Sequence, residues 1–179
     1  VATREEGELR LHFFFFFCGE CTAVEFPEGD VLVIDGGKGG FGTRVPNYIK
    51  ALNPARVSVV LTNPGYGHTG GLAELISALS PEELYLPAFE AETGAYRRAI
   101  AAAERAGCET KRLTRYGVIA RDSGAYAVCL SPYSMGETDA DEASSVLYLQ
   151  YGEFRALLCS DTTASREEKL MNEYAIDET

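Results

Sequence analysis

The stretch VSVVLTNPGYGHTGGLAEL (residues 57–75) decides the fold, because it predicts a strand, a polar turn and a helix start in immediate succession. Its apolar run Val57–Leu61 is typical of a buried strand, and the proline and glycines that follow predict a turn. The next segment, LAELISAL (72–79), has the apolar spacing of a helix. Since α/β proteins place functional groups where a strand ends and a helix begins, His68 in this turn is the first candidate functional residue.

On both sides of this stretch the pattern predicts a layered α/β fold. Strands alternate with helices in the first half, whereas short strands with Gly-rich turns, including a hairpin at YGEF (151–154), fill the second half. We therefore predict one domain over residues 1–179, an αββα sandwich of two mixed sheets face to face with helices outside. The predicted strands lie in 8–17, 21–37, 55–62, 83–87, 109–113, 116–121, 126–132, 145–152 and 153–161, and the predicted helices in 43–52, 69–80, 90–107 and 165–174.

Five consecutive phenylalanines, Phe13–Phe17, belong to the first predicted strand. Such a run places apolar groups on both faces of a strand, which is typical of a strand that is covered on both sides. We therefore predict that this run is part of the core.

Charge and hydropathy restrict the partners. The formal net charge is −11, which disfavours binding to nucleic acid because an acidic surface repels phosphate backbones. No run of about 18 apolar residues is present, so the sequence predicts no membrane span. Because the chain starts at Val1 rather than Met, we expect that an upstream piece was removed. A secreted or membrane-anchored origin would fit that expectation, and a cytoplasmic location is the alternative.

The five cysteines suggest a thiol hypothesis that stays open. Cys18 and Cys21 form a C-x-x-C pair, but no second pair accompanies it, as a zinc or redox motif would usually require. Thiol chemistry at this pair predicts that at least one of the two is exposed and reactive. We expect Cys108, Cys129 and Cys159, which lie in or beside apolar runs, to be buried free thiols.

Three segments together resemble the metallo-β-lactamase fold. They are LVIDGG (32–37), the strand-turn-helix of residues 57–75, and the hairpin SVLYLQYGEFRALLCSD (145–161). More narrowly, the chain is similar to the soluble hydrolase-like domain of the bacterial ComEC/Rec2 competence proteins, from about Leu9 onward. The resemblance implies a metal-dependent hydrolase ancestry with phosphodiester-type substrates.

The chain departs from this family at the metal site. The family turn resembles T-H-x-H-x-D-H-x-G-G, and this chain has Asn63, Gly65 and Gly67 where the family has His, His and Asp. His68 is kept, and Asp161 corresponds to the metal-bridging carboxylate.

Two further departures lie outside this turn. Where the family tends to show Asp-Val-Gly-Gln-Gly-Asp, this chain has the residues from Phe15 to Glu20. The family's final histidine lies beyond the last helix, and this chain stops at Thr179. We therefore expect a C-terminally incomplete domain without the last strand-helix unit, with an open sheet edge that a second copy covers in a homodimer.

Composition independently disfavours a hydrolytic metal centre. A catalytic zinc needs about three protein ligands, and the whole chain has only two histidines, His12 and His68. His68 and Asp161, supplemented by Asp35 or Asn63, make a poor ligand set. We therefore expect no cofactor and a non-catalytic role in binding a protein or a small molecule. The alternative is a metal-dependent hydrolase that uses His68 and Asp161 with zinc or manganese and takes its other ligands from a missing segment or a partner.

Each candidate also has a structural interpretation. His68 could satisfy a backbone group at its helix start, Asp35 could accept backbone N–H groups in its turn, and Asp161 could cap the last helix. We expect Tyr66 to fill the space that metals occupy in the family. The acidic segment MGETDADEAS (135–144) is expected to be a flexible solvated loop, because it lacks the ordered spacing of a calcium loop.

Overall fold

The computed structural model describes residues 7–40, 43–131 and 139–174. The elements in chain order are β1 (Arg10–Phe13), β2 (Thr22–Glu25), β3 (Val31–Ile34), α1 (Arg44–Ala51), β4 (Val57–Val60), α2 (Tyr66–Thr69), α3 (Leu72–Leu79), β5 (Glu83–Leu86), α4 (Gly94–Ala106), β6 (Glu109–Arg112), β7 (Val118–Asp122), β8 (Ala125–Cys129), β9 (Leu147–Tyr151), β10 (Phe154–Leu158) and α5 (Ala164–Tyr174).

The described strands form two sheets. The first has the order β1-β2-β3-β4-β5-β6, antiparallel from β1 to β3 and parallel from β3 to β6. The second has the order β10-β9-β8-β7 and is antiparallel throughout, including the predicted hairpin at residues 151–154. The two-sheet prediction is confirmed, whereas the expectation that both sheets are mixed is wrong for the described strands of the second.

Alternating side chains of the first sheet build two separate cores. In β3, Val31 and Val33 face one side and pack with residues of helices α1, α3 and α4, such as Ile49 and Leu75. The intervening residues of the strand, typified by Leu32, face the other side. A parallel strand that is buried on both faces reads as a continuous apolar run, which is why β3 and β4 were recognisable in the sequence.

The second core lies between the sheets, and a third covers the outer face of the second sheet. Leu32 and Val60 of the first sheet pack in one cluster with Leu147 and Leu149 of β9. On the outer face, Leu170 of α5 packs with apolar residues next to β8 and β9. The layers are therefore helix, sheet, sheet and helix, as the αββα prediction requires.

The two glycine pairs of the sequence markers dock against each other. Gly36 N donates to the carbonyl oxygen of His68 at 2.7 Å, and Gly71 N donates to the carbonyl oxygen of Gly37 at 3.0 Å. A side chain at Gly36 would collide with the backbone of Leu72, with its Cβ only 2.5 Å from the amide nitrogen. This close approach fixes the turn that carries His68 against the end of β3.

The prediction that the phenylalanine run is core is wrong for three of its five residues. Phe13, Phe15 and Phe17 are 72%, 85% and 89% exposed, whereas Phe16 is buried. The strand ends at Phe13, on the edge of the sheet, and the amide of Phe14 donates to the carbonyl oxygen of Cys21 as the chain leaves the ladder. Only one side of the run therefore meets the helix layer, and the other faces solvent.

In the described part of the chain, none of the helices combines the length and the apolar character that crossing a membrane requires.

Candidate functional site

Asp35 anchors the candidate site at the carboxyl end of β3. Its side chain is 3% exposed and accepts hydrogen bonds from Thr62 N at 2.8 Å and Thr62 Oγ1 at 2.6 Å. Its backbone has φ of 63°, a left-handed conformation that a non-glycine residue adopts at some cost and that aspartate tolerates better than most. Asp35 thus accepts the backbone N–H that its structural interpretation predicts, and it ties the ends of β3 and β4 together.

His68 lies in the short helix α2 with its ring between two carboxylates. Its Nδ1 is 2.9 Å from Asp35 Oδ2, and its Nε2 is 3.0 Å from Asp161 Oδ2. The side chain is 4% exposed. The interpretation that this ring satisfies a backbone group is therefore wrong, because both ring nitrogens face acidic side chains. We call Asp35, His68 and Asp161 the ion triad.

The ion triad favours a protonated His68. Burial, the largest effect, lowers the pKa of this ring, but the hydrogen bonds and charges of Asp35 and Asp161 together outweigh it and raise the pKa of His68 to about 9. At pH 7 the ring is therefore an imidazolium that donates from both nitrogens. A buried cation held between two carboxylates is a paired charge, which is how proteins tolerate such groups in the interior.

Asp161 reaches the ion triad from the other sheet. It follows β10, and the preceding Ser160 has φ of 54° and places its Oγ 2.7 Å from Thr62 Oγ1. The side chain of Asp161 is 46% exposed, so this end of the ion triad is open to solvent. Among the described residues, the hydrogen bond of the Asp161 carboxylate goes to His68, which does not support the expected role of helix cap.

Asn63 has a structural role in which its amide holds the acidic segment. Its Oδ1 accepts from Gly65 N at 2.7 Å, and its Nδ2 donates to Ser144 Oγ at 2.9 Å and to Asp141 Oδ1 at 3.1 Å. Ser144 is fully buried. Within the described part of this segment, Asp139 and Asp141 are exposed, as expected of a solvated loop, whereas that expectation is wrong for the buried Ala143 and Ser144. Residues 135–138 lie outside the described residues.

Tyr66 does not fill the space of a metal centre. Its side chain is 55% exposed, and its hydroxyl points toward Gly39, 3.1 Å from where a Cβ on that glycine would lie. Gly65 and Gly67 supply backbone groups instead of ligands. Gly65 N donates to Asn63, and the carbonyl oxygen of Gly67 accepts from Glu20 N at 3.0 Å.

Glu20 is the site residue that the sequence analysis missed. It reaches the site because Gly19 has φ of +127° and lies against the turn, where a Cβ would come within 2.5 Å of the Gly67 carbonyl oxygen. Partial burial raises the pKa of Glu20, the positive charge of His68 opposes this, and the charges of Asp161 and Asp35 add to it. The signal was present, since Glu20 stands where the resembled family has the last aspartate of its first-strand stretch.

Glu20, Asp35 and His68 form a cluster that could hold a metal ion. One ligand atom of each lies within 4.8 Å of the other two. The set has one imidazole and two carboxylates, a donor chemistry closer to magnesium or manganese than to hydrolytic zinc. Asp35 already accepts three hydrogen bonds, and His68 would have to lose a proton to bind a metal. The residues therefore fit a hydrolytic zinc centre poorly.

A cleft of about 410 Å³ adjoins the ion triad between the edges of the two sheets. Its apolar lining comes from Phe13, Phe14, Ile34, Leu157 and Leu158, and its polar lining includes Glu20, Asp35, Thr62 and Ser160. A smaller cleft of about 160 Å³ lies at the opposite ends of the parallel strands, beside Arg56 and Asp122. The larger cleft has the size and the mixture of apolar walls and few polar groups that are typical of small-molecule sites.

The cysteines of the C-x-x-C pair differ in environment. Cys18 is exposed and Cys21 is buried, and burial raises the pKa of the Cys21 thiol far above its ordinary range. A thiol with a raised pKa is a poor nucleophile, so of the two only Cys18 has the exposure that the thiol hypothesis requires, and its reactivity stays a prediction. Cys108 and Cys129 are buried free thiols as expected, and Cys159 is half-buried.

Comparison with known proteins gives matches at the level of structure only. No protein-family model matches the sequence, and no curated protein matches it significantly. A metallo-β-lactamase from Staphylococcus aureus aligns with 87% of this chain and 44% of its own, at 11% identity and a TM-score of 0.59. CmlA, a diiron β-hydroxylase from Streptomyces venezuelae, aligns with 94% of this chain and 33% of its own, at 14% identity and a TM-score of 0.56.

A third similar structure is Zn²⁺-bound PqqB from Methylobacterium extorquens. It aligns with 84% of this chain and 56% of its own, at 15% identity and a TM-score of 0.52. This chain thus spans between about a third and just over half of the length of these proteins. At such identities the likeness establishes the fold, which is metallo-β-lactamase-like, and leaves activity to the site.

Proposed function

We propose that this chain is a non-catalytic, metal-independent binding domain of metallo-β-lactamase-like fold, whose ligand is a small molecule held in the cleft beside the ion triad. The observation that carries the proposal is that both ring nitrogens of His68 face carboxylates at hydrogen-bond distance. The narrower resemblance to the ComEC/Rec2 soluble domain belongs to this proposal as the ancestry from which the metal ligands were lost.

The geometry of His68 supports a site whose positive charge comes from the protonated ring rather than from a bound metal ion. In metal centres a histidine usually binds the ion with one nitrogen and donates to a carboxylate with the other. Here Asp35 takes the second role, and Asp161 occupies the nitrogen that an ion would need. Displacing a proton from a group of pKa about 9 at pH 7 weakens metal binding by roughly 100-fold.

A metal-dependent hydrolase is the second candidate, and one observation favours it. The ligand atoms of Glu20, Asp35 and His68 already lie within 4.8 Å of one another. The structural neighbours include proteins described as diiron and Zn²⁺-bound. If the chain is such a hydrolase, these three residues hold a divalent cation and Asp161 gives up its contact with His68. The donor set of one imidazole and two carboxylates favours manganese over zinc.

Thermal unfolding with a chelator and with added metal separates the two candidates. An ion present at 100 times its dissociation constant would add about 2.7 kcal/mol to the free energy of unfolding. We expect the unfolding temperature to be the same in EDTA and in excess zinc or manganese.

The matched variants are His68→Gln and His12→Gln, since His12 is the other histidine and contacts Tyr48 and Glu25 away from the ion triad. An increase in unfolding temperature with metal that occurs in the wild type and in His12→Gln, and is lost in His68→Gln, would overturn the proposal in favour of the hydrolase.

A further inference from the structure

We infer that the ligand of the cleft is an amphipathic organic cation, an ammonium or amidinium group on an aliphatic or aromatic body. The inference rests on the proposed function and specifies the substrate class of the same site. Three features of the described residues carry it: the apolar walls on two strands, the exposed carboxylate of Glu20, and a cleft lining without lysine or arginine.

The walls of the cleft come from two sheet edges that are not covered by another strand in the described structure. Phe13 and Phe14 lie at the end of β1, and Leu157 and Leu158 lie at the end of β10. Phe13 is 72% exposed although it lines the cleft, so its ring is available to a ligand rather than occupied by the core. Apolar surface on two sides favours a ligand with an apolar body.

Glu20 is the group that a ligand head can reach. Asp35 is buried, and its oxygens already accept hydrogen bonds from Thr62 and His68. Glu20, in contrast, is exposed, and its carboxylate has no hydrogen bond or ion pair with the described residues. A carboxylate at the edge of an apolar cleft gains most from a bound cation with N–H donors, because charge-assisted hydrogen bonds are the strong ones.

The charge around the cleft opposes binding of a ligand with an anionic head group. Glu20 and the two carboxylates of the ion triad stand against the single positive charge of His68. Neither lysine nor arginine is among the described residues that line the cleft. An anion would therefore meet uncompensated negative charge, whereas a cation would be attracted, and the exposed aromatic ring of Phe13 adds cation–π attraction.

A homologous ligand series tests the inference directly. Binding of butyl-, hexyl- and octylammonium is measured by calorimetry and by ¹H–¹⁵N NMR shifts at pH 7 in EDTA, with hexanol and hexanoate as neutral and anionic analogues. We expect the alkylammonium ions to bind with affinity rising about three- to fourfold per added methylene, from the burial of apolar surface. Hexanol should bind more weakly than hexylammonium, and hexanoate should not bind.

Two variants and one control show which residues contact the ammonium group of the ligand and which contact its alkyl chain. Glu20→Gln should remove the preference for hexylammonium over hexanol, a loss of about tenfold or more in ammonium affinity. Leu158→Ser, on the side of β10 that packs against the between-sheet core, should reduce the chain-length dependence and keep the preference for the cation. The control is Glu104→Gln, since Glu104 is an exposed acid on α4 and lies outside the cleft lining. Glu104→Gln should leave the preference for the cation and the chain-length dependence unchanged. NMR spectra of all three variants check that each keeps the fold.

The outcomes separate this inference from the proposed function. Hexanoate binding as tightly as hexylammonium, no alkylammonium binding at all, or an ammonium preference that survives Glu20→Gln would overturn the inference. Because the titrations contain EDTA, none of these results reports on metal. A failure of the proposed function would be seen instead as the His68-dependent stabilisation by metal described above, independently of the ammonium result.

Discussion

Replacing Asp35 by asparagine perturbs the ion triad most sharply. Asp35 accepts from Thr62 N, Thr62 Oγ1 and His68 Nδ1, so an amide nitrogen in place of one oxygen would face a donor whichever way it turns. The variant keeps the size of the side chain and removes its charge. We expect the pKa of His68 to fall toward or below its ordinary 6.5, because burial then acts against a single carboxylate.

The magnitude follows from linkage between protonation and folding. The pKa of His68 is about 9 in the folded chain and 6.5 without the fold, so protonation stabilises the fold fully below pH 6.5. That contribution is lost as the pH rises through 9. At 1.36 kcal/mol per pKa unit, the difference between these two pKa values corresponds to roughly 3 kcal/mol in the free energy of unfolding. The free-energy difference between wild type and Asp35→Asn should therefore shrink by up to roughly 3 kcal/mol from pH 6 to pH 10.

Two assays measure this prediction. Because the chain has only two histidines, ¹H–¹³C NMR of the imidazole Cε1 groups gives two titration curves, and a His12→Gln variant assigns them. Denaturant unfolding at each pH gives the free energies. Asp161→Asn should lower the pKa of His68 less than Asp35→Asn does, because Asp161 is 46% exposed and more screened. The reasoning is refuted if His68 of the wild type titrates near 6.5, or if the free-energy difference is constant between pH 6 and pH 10.

Three further predictions test the architecture around the site. Phe16→Ala should lower the free energy of unfolding by about 3–5 kcal/mol because Phe16 is buried, whereas Phe15→Ala, at an 85% exposed position, should change it by less than about 0.5 kcal/mol. Equal losses in the two variants would contradict the finding that Phe15 faces solvent. Asn63→Ala should cost roughly 1–3 kcal/mol, since it leaves buried partners unsatisfied, whereas Asn47→Ala on the exposed face of α1 should cost almost nothing. Thiol titration of the native protein should modify Cys18 first and leave Cys21 and Cys129 unmodified until unfolding, because burial raises the pKa of Cys21 and raises that of Cys129 to about 12. Rapid modification of Cys21 in the folded protein would contradict the burial on which this prediction rests.

Much of the fold was predictable because its signals are local. The apolar runs of β3 and β4, the glycine pairs after them and the hairpin at residues 151–154 each specify a piece of structure through side-chain periodicity or backbone conformation. The phenylalanine run was misread because periodicity shows which side chains alternate and not which face another layer covers. Only the position of β1 at the sheet edge decides that Phe15 faces solvent.

The candidate site was less predictable because its contacts join distant parts of the chain. His68 and Asp161 are 93 positions apart, and nothing local indicates that the carboxylate would take the second ring nitrogen. Glu20 reaches the site through one glycine with positive φ, a conformation that the sequence permits without specifying. The amide of Asn63 was recognised as a replaced ligand, but its role in holding residues 140–144 depends on the packing of the second sheet.

Elemental metal analysis tests the central claim most directly. The purified protein is incubated with zinc and manganese, freed of excess metal and analysed beside His68→Ala. We predict less than stoichiometric metal in the wild type and the same amount in the variant, because the His68 imidazolium already satisfies Asp35 and Asp161. One equivalent of metal in the wild type that is lost in His68→Ala would contradict a metal-independent site.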